Sequence, residues 1–538
     1  MEISGNTGIR ITPSRDEFLR LAAGPAHPPV IPVSVTVPGV SLSPTELFRS
    51  MKGYPGNDDI PATGDTPGYL LEYMDGEEKA PASSYIGVSP LLRISLGDTP
   101  GITGVPGLIS LIPPLKGRDP VGIMRDITAV FHAPPGSDPG KCSKLVGYFS
   151  YDTIRSFLPL HVSLRHHPAE GSPVAEFMLC AHCASVDHAL HTLTLAENMV
   201  VAGAPDLHAL YDVHCRALLA RYALLKEEIS RASIRRADVP PGPGTLPAEA
   251  GECTAQMHIP CSDNEVAGTK NEFIRDVAAV KEYIRAGEII QAVISRKDKY
   301  PFAGDPLLLY RALMEINPSP YMYYLEFPNH TVVGASPEML VRVRHNTVTT
   351  VPIAGTRRRG RGNEEDLVLA RELLQDEKER AEHVMLVDLA RNDIGSVSDF
   401  GTVEVSGFMR IGRYSHVQHI VSTVSGKISC PCDMFDALKA CFPAGTVSGA
   451  PKIRAIQIID AIEPGPRGIY AGAVGYIGLD DTLEFAIAIR TMDVRDGLAS
   501  VQVGAGIVAD SSPPDEWAET CHKAAALRAA ITRAGGRA

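Results

Sequence analysis

The stretch HTVVGASPEMLVRVRHNTVTTVPIAGT, residues 330–356, holds three short β-branched runs in succession, HTVVGAS, MLVRVR and TVTTVPIAGT. Each reads as a strand, because branched side chains fit a pleated, half-buried surface. The segment that follows, EEDLVLARELLQDEKERAEHVMLVDLARND, residues 364–393, changes to helical character and reads as one long helix or two short ones. Short strands alternating with helices place the chain in the α/β (α+β) class.

The same alternation holds upstream. In NEFIRDVAAVKEYIRAGEIIQAVISRK, residues 271–297, Phe273, Val277, Val280 and Ile284 recur at helical spacing, Gly287 ends the helix, and IIQAVIS opens a strand. The Pro- and Gly-rich VPPGPGTLPAEAGE, from Val239, lacks apolar periodicity and reads as part of a surface linker over residues 239–267. It separates an N-terminal region, residues 1–238, from a C-terminal region, residues 268–538. No G-x-G-x-x-G joins a strand to a helix, so a dinucleotide-binding unit is not expected.

The 538 residues carry 63 Asp and Glu against 51 Lys and Arg, a formal charge of -12. Nucleic-acid binding is not expected from that balance, despite the RRRGR of residues 357–361, because a basic domain is the usual footprint. The arginine cluster reads either as a loop that attracts an anionic substrate to a cleft or as plain solvated charge. The N-terminus MEISGNTGIRITPSRDEF has no basic or apolar leader region, and no run approaches the ~18 apolar residues of a membrane span. The expectation is a soluble, cytoplasmic protein with no membrane association. Ten cysteines do not suggest a disulfide framework in a chain of this length. Cys180 and Cys183 around His182, with Cys430 and Cys432, read either as a zinc site or as ordinary core thiols.

Two helix-patterned segments carry paired carboxylates, Glu379 and Glu382 in DEKERAEHVML and Glu516 and Glu519 in PPDEWAETCHKA. Three-residue spacing puts each pair on one helix face. Oxygen donors of this kind suit Mg2+, which takes one or two carboxylates plus water and an anionic ligand, although solvated helices show the same spacing. His416 and His419 lie on a β-branched stretch, where His419 reads as a core histidine or a site residue. PAGTVSGAPKIRA, residues 443–455, is a Gly- and Ser-rich turn before a helix, which either offers N–H groups to an anion or caps the helix.

ASPEML, PIAGTRRRG, AEHVMLVDLARND, RYSHVQH, AGTVSGAPKIRA, GIYAGAVGY, IAIRTM and VGAGIVADSSPPDEWAET occur in the order found in chorismate-utilising enzymes. The chain resembles that family densely over roughly residues 268–532 and more sparsely, through GYLLEYMDGEEKAPASSYIGV and KLVGYFSYD, in its N-terminal half. Within the family it is most similar to the large, synthase subunits of anthranilate synthases. The resemblance implies two packed, mostly antiparallel sheets with helices outside and an active site in the cleft between them. It implies Mg2+-dependent amination of chorismate at C2 by ammonia, then pyruvate elimination to anthranilate, the first step of tryptophan biosynthesis. Relatives that add water carry Lys at the position of Gln291, as a base, and relatives that aminate para carry Lys at the position of Ala354, as a nucleophile. Neither residue here has an amine. An enzyme that stops at 2-amino-2-deoxyisochorismate stays open, as does, further off, an aminodeoxychorismate synthase.

The resemblance also implies roles. Glu382 and Glu519 match metal ligands, and Glu379 and Glu516 complete an acidic wall. Glu338 matches the general acid for the leaving C4 hydroxyl, which requires a pKa raised by burial or acidic neighbours. His419 matches a residue assigned to the elimination. Tyr470 and Arg490 match residues that hold the enolpyruvyl carboxylate under the backbone of Gly504, Ala505 and Gly506, while Gly355, Thr356 and Thr446 line the ring. No G-x-C-x-G elbow surrounds any cysteine, so ammonia is expected from a separate glutamine amidotransferase subunit or from solution. Tryptophan inhibits family members between an LLES and a PYM segment. Pro320, Tyr321 and Met322 match the second, but the first reads Leu70, Leu71, Glu72, Tyr73, and the larger Tyr73 is expected to weaken inhibition.

Overall fold

The computed structural model describes residues 10–24, 28–39, 42–53, 66–74, 81–115, 118–133, 142–158, 162–168, 171–237, 267–414 and 417–538. His416 and the linker residues 239–266 lie outside the described residues. The opening stretch forms strands Thr331–Ser336, Met339–Arg344, Thr347–Thr350 and Ile353–Arg358. The segment after it is two helices, Asn363–Gln375 and Glu377–Gly395. Asp376 divides them, because its extended backbone ends the first and its carboxylate accepts the Lys378 and Glu379 N–H groups at the start of the second. Helix Ala267–Arg285 and strand Gln291–Pro301 follow the sequence pattern, with Gly287 between them at φ 76.

All strand pairings among the described residues are antiparallel, and two long strands each serve two sheets. The first half of Pro81–Leu96 and the second half of Ala175–Asp187 lie in one sheet. It runs on through Gly68–Met74, Tyr321–Glu326, Thr331–Ser336, Thr491–Arg495 and Leu498–Ile507 to Gln291–Pro301. Their other halves lie in a second sheet, continued by Lys144–Phe149, Ala473–Gly478, Leu483–Ile487, Met339–Arg344, Thr347–Thr350 and Val417–Lys427. The register shifts between Pro90 and Leu92, where one sheet gives way to the other. Strands from both sides of the linker therefore build both sheets.

The inner faces pack on each other. Tyr69, Leu71, Tyr323 and Leu325 of the first sheet meet Val146, Tyr148, Val474 and Tyr476 of the second in one buried cluster. Helices cover the outer faces, with Leu218, Leu313 and Leu527 on the first sheet and Ile127, Ile394 and Leu438 on the second. The core also buries polar groups, among them His330, whose Nδ1 lies 2.6 Å from Asp493 and Nε2 2.6 Å from Glu176. Burial opposes charge on this ring, yet the two carboxylates hold its pKa up to about 9. A histidine raised above its unfolded value stabilises the fold fully below that value and loses the contribution as pH rises through about 9. His330→Gln is expected to cost on the order of 3 kcal/mol near neutral pH, with the deficit shrinking in alkali. Denaturant unfolding at two pH values measures this, and equal deficits at both would contradict it.

Candidate active site

Helices Glu377–Gly395 and Pro513–Arg533 carry Glu379, Glu382, Glu516 and Glu519 in their first two turns, where the helix dipole favours negative charge. The two pairs come near each other. Glu382 is raised by burial and then by Glu379 and Glu519, and Glu516 is raised by burial and by Glu519. Lys523, one turn past Glu519, lies 2.7 Å from its carboxylate and donates to the Gly504 carbonyl at 2.9 Å. Among the described residues, no three of His, Cys, Asp and Glu converge as a metal-binding group. This removes the zinc alternative for the cysteine pairs, since Cys180 and Cys183 are core thiols in a strand and Cys430 is exposed. The glutamates fit a different demand. Mg2+ needs only one or two carboxylates and completes its shell with water and ligand oxygens.

A cavity of about 310 Å³ is lined by Pro320, His419, Arg490, Glu519 and Lys523, among others. A larger one, about 900 Å³, opens around Arg125, His345 and Asp480 and contains none of the sequence-predicted site residues. Arg490 follows strand Leu483–Ile487 at φ 50, a left-handed backbone uncommon for a non-glycine residue. Burial pushes its pKa down, and it makes no ion pair among the described residues. A guanidinium largely removed from water and without an anion is suited to one carried by a ligand.

Glu338 lies between strands Thr331–Ser336 and Met339–Arg344, and the Thr446 hydroxyl donates to its carboxylate at 3.2 and 3.3 Å. Burial raises its pKa to about 8 against the pull of Thr446 and Lys523. The cause is desolvation, and no acidic neighbour contributes. His419, on strand Val417–Lys427, donates from Nδ1 to the Gly355 carbonyl at 2.6 Å, which leaves Nε2 as the acceptor. The Thr356 hydroxyl is 3.2 Å from the same Nδ1, and burial keeps the ring's pKa low. Gly355 needs its missing side chain, because its φ is 64 and a Cβ would come within 3.1 Å of Glu379. A Cβ on Gly504 would lie 2.6 Å from the Tyr470 hydroxyl, and one on Gly506 would lie 2.7 Å from the Gln291 amide nitrogen. Lys523 was not named from the sequence, although its i, i+4 spacing from Glu519 was the available signal.

The arginine loop does not stand as free positive charge. Arg357 pairs with Asp376 at 2.8 Å and Glu379 at 3.5 Å, Arg358 with Glu365 at 2.5 Å, and Arg359 with Asp366 at 2.7 Å. The acidic starts of the neighbouring helices pair with three of the four arginines, so these clasp the fold and do not form an anion-attracting loop. The residues of the expected effector pocket also divide. Tyr73 pairs with Tyr321 and Glu72 with Met322 across adjacent strands, so the two sets lie on opposite faces. Tyr73 is wedged edge-on against Tyr321, Tyr85 and Tyr476 at centroid distances of 5.3, 5.8 and 6.1 Å. Glu72 turns away and accepts the Tyr310 hydroxyl at 2.5 Å.

The chain matches the chorismate binding enzyme family over residues 112–529. It is 42% identical to anthranilate synthase component 1 of Geobacillus stearothermophilus, covering 87% of this chain and 89% of that protein. Against the same component of Acetivibrio thermocellus the figures are 40%, 94% and 96%. Among solved structures it is similar to anthranilate synthase component I from Streptococcus pneumoniae, at TM-score 0.63 and 28% identity over 91% of this chain and 99% of that one. The menaquinone-specific isochorismate synthase of Escherichia coli shares the fold at TM-score 0.62 and 18% identity, covering 96% of this chain and 98% of that one.

Proposed function

The chain belongs to the chorismate-binding enzymes, in the family of anthranilate synthase component 1, and from that premise we propose that it converts chorismate and ammonia to anthranilate and pyruvate. The observation that carries this reading is a partly buried Glu338, hydrogen-bonded to Thr446 and with its pKa raised by desolvation to about 8, in a fold that leaves Arg490 without an anion among the described residues.

Arg490 and Tyr470 hold the enolpyruvyl carboxylate, and the open backbone at Gly504, Ala505 and Gly506 lets that group approach closely. Gly355, Thr356 and Thr446 border the ring. Glu382 and Glu519 would hold Mg2+, with Glu379 and Glu516 beside them, and the cation would draw electron density from the ring through its carboxylate. Ammonia bonds to C2 as the C4–O bond breaks, and Glu338 gives its proton to the departing hydroxyl, which leaves as water. Gln291, buried beside Gly506, has no basic nitrogen with which to activate water in place of ammonia. In the second step the neutral His419 accepts the C2 proton through Nε2 while the C3–O bond breaks and pyruvate leaves.

Supply and control follow the family pattern. A glutamine amidotransferase subunit would furnish ammonia, and the setting would be the cytoplasm. No helix among the described residues is long and apolar enough to cross a membrane. Tryptophan inhibition is expected to be weakened, because the Tyr73 ring fills space among Tyr321, Tyr85 and Tyr476. Tyr73→Ser should tighten the inhibition constant for tryptophan by about tenfold or more. An unchanged constant in a folded variant would remove this reading of the pocket. The reaction itself is tested by supplying the pure chain with chorismate, Mg2+ and ammonium. Anthranilate and pyruvate should appear in equal amounts. A non-aromatic amine without pyruvate would move the assignment to 2-amino-2-deoxyisochorismate synthase.

A further inference from the structure

Glu463 caps the end of helix Lys452–Ile462, and Arg467 follows four residues later. Both are closed off from solvent, at 4% and 2% exposure, and neither was named from the sequence. Their ion pair is two-pronged, with Nε donating to one carboxylate oxygen at 2.9 Å and Nη2 to the other at 2.7 Å. Burial opposes the charge on Arg467, yet Glu463 beside it holds its pKa up, so the guanidinium keeps its proton. Its remaining donors go to backbone. Nη1 donates to the Val447 carbonyl at 2.7 Å, and Nη2 to the Val293 carbonyl at 2.7 Å. Glu463 accepts in addition the Ser295 N–H at 2.8 Å and the Ser295 hydroxyl at 2.7 Å. One buried pair therefore joins a helix end, the turn Gly445–Val447 and strand Gln291–Pro301.

Two site residues hang from this junction. The turn carries Thr446, whose hydroxyl donates to Glu338. On the other side, Gly468 bends the chain at φ 65, with its N–H held by Asp152 at 2.8 Å, and Tyr470 comes next but one. The guanidinium carbon of Arg467 lies 5.5 Å from the Tyr470 ring centroid and 4.6 Å from that of Tyr151. Burial pushes the Tyr470 hydroxyl up to about 12 while the cation pulls it the other way, which makes it a better donor to a carboxylate than burial alone would leave it. Stability alone is a weak reason for a buried ion pair, since apolar residues of the same volume often serve as well.

We infer that Arg467 is a positioning residue for the reaction: braced by Glu463, it fixes the turn of Thr446 against the segment of Tyr470, so that the general acid and the carboxylate grip meet chorismate at a set separation. The inference rests on the amination reading above, in which Tyr470 holds the enolpyruvyl carboxylate and Glu338 faces the departing hydroxyl. Arg467 acts at both places through other groups, on Tyr470 through the ring and on Glu338 through the Val447 carbonyl and Thr446.

The test reads kcat and the alkaline limb of kcat/KM for chorismate, using the full chain with Mg2+ at fixed free ammonia. Thr446 draws the Glu338 pKa down, so displacing Thr446 should let it rise from about 8 and carry the limb to higher pH. The other titratable groups coupled to Glu338 are Lys523 and Tyr414, and Arg467 bonds to neither among the described residues. Arg467→Lys keeps the charge but lacks the fork that reaches two carbonyls and a carboxylate together. It should lower kcat by about tenfold or more and move the limb upward, as Thr446→Val does, and combining the two should move the limb no further. Losing one partner of a buried pair can prevent folding, so the second variant is Glu463→Gln with Arg467→Gln, which leaves no buried charge unpaired and should show the same shift. A folded variant that loses activity with the limb in its original place would overturn the inference, because the pair would then only hold the fold. Full activity would overturn it too, as would shifts that add in the combined Thr446 and Arg467 variant. Failure of the unsubstituted chain to form anthranilate removes the amination reading instead, and that control tells the two apart.

Discussion

Replacing Glu338 by glutamine is expected to lower kcat with ammonium by about 100- to 10,000-fold, with little change in the KM for chorismate. Glutamine keeps the size of the side chain and a contact with Thr446, but has no proton to give a departing hydroxide. The effect depends on the protonation state. Burial holds Glu338 near a pKa of about 8, so the acid form predominates at neutral pH and is lost as pH rises through that value. At fixed free ammonia, kcat/KM for chorismate should fall on the alkaline side with an apparent pKa near about 8, and that limb should vanish in Glu338→Gln. The stability effect has the same origin. The folded state keeps a proton that the unfolded state releases above 4.5, so this group makes folding less favourable from there up to about 8. Glu338→Gln should flatten that slope. An unaltered alkaline limb in the variant would assign the general acid to another residue.

Glu382→Gln and Glu519→Gln are each expected to weaken Mg2+ binding on the order of 100-fold, with activity partly restored at high magnesium. Calorimetry of Mg2+ against the apo protein reads this directly and without turnover. Glu377→Gln, exposed at the start of the same helix, serves as the control. If all three variants bound Mg2+ equally well, the glutamates would be a solvated face and no more.

Much of the candidate site is legible in the sequence because its residues are local there. The paired glutamates lie within single helical turns, and the glycines that must lack side chains sit inside short motifs. The strand runs of residues 330–356 were readable from side-chain branching alone. What escaped depends on contacts distant in the chain. Only the folded pairing shows that Pro81–Leu96 and Ala175–Asp187 each cross between sheets. The arginines looked free in sequence, but helix starts nearby in space carry the carboxylates that bind them. Glu72 and Tyr73 are adjacent in sequence and point to opposite faces, so a pocket drawn from neighbouring letters mixed an inner residue with an outer one. The elevated pKa of Glu338 was foreseen, while its cause needed the structure to separate desolvation from repulsion.

The decisive measurement is isotopic. The pure chain is given chorismate and Mg2+ with heavy-nitrogen ammonium in heavy-oxygen water, and the products are weighed by mass spectrometry. Anthranilate bearing the heavy nitrogen and no heavy oxygen, with one pyruvate for each ring, is the predicted result. A hydroxylated product carrying the heavy oxygen would contradict it, because water would then have attacked a ring that Gln291 is held to reserve for an amine.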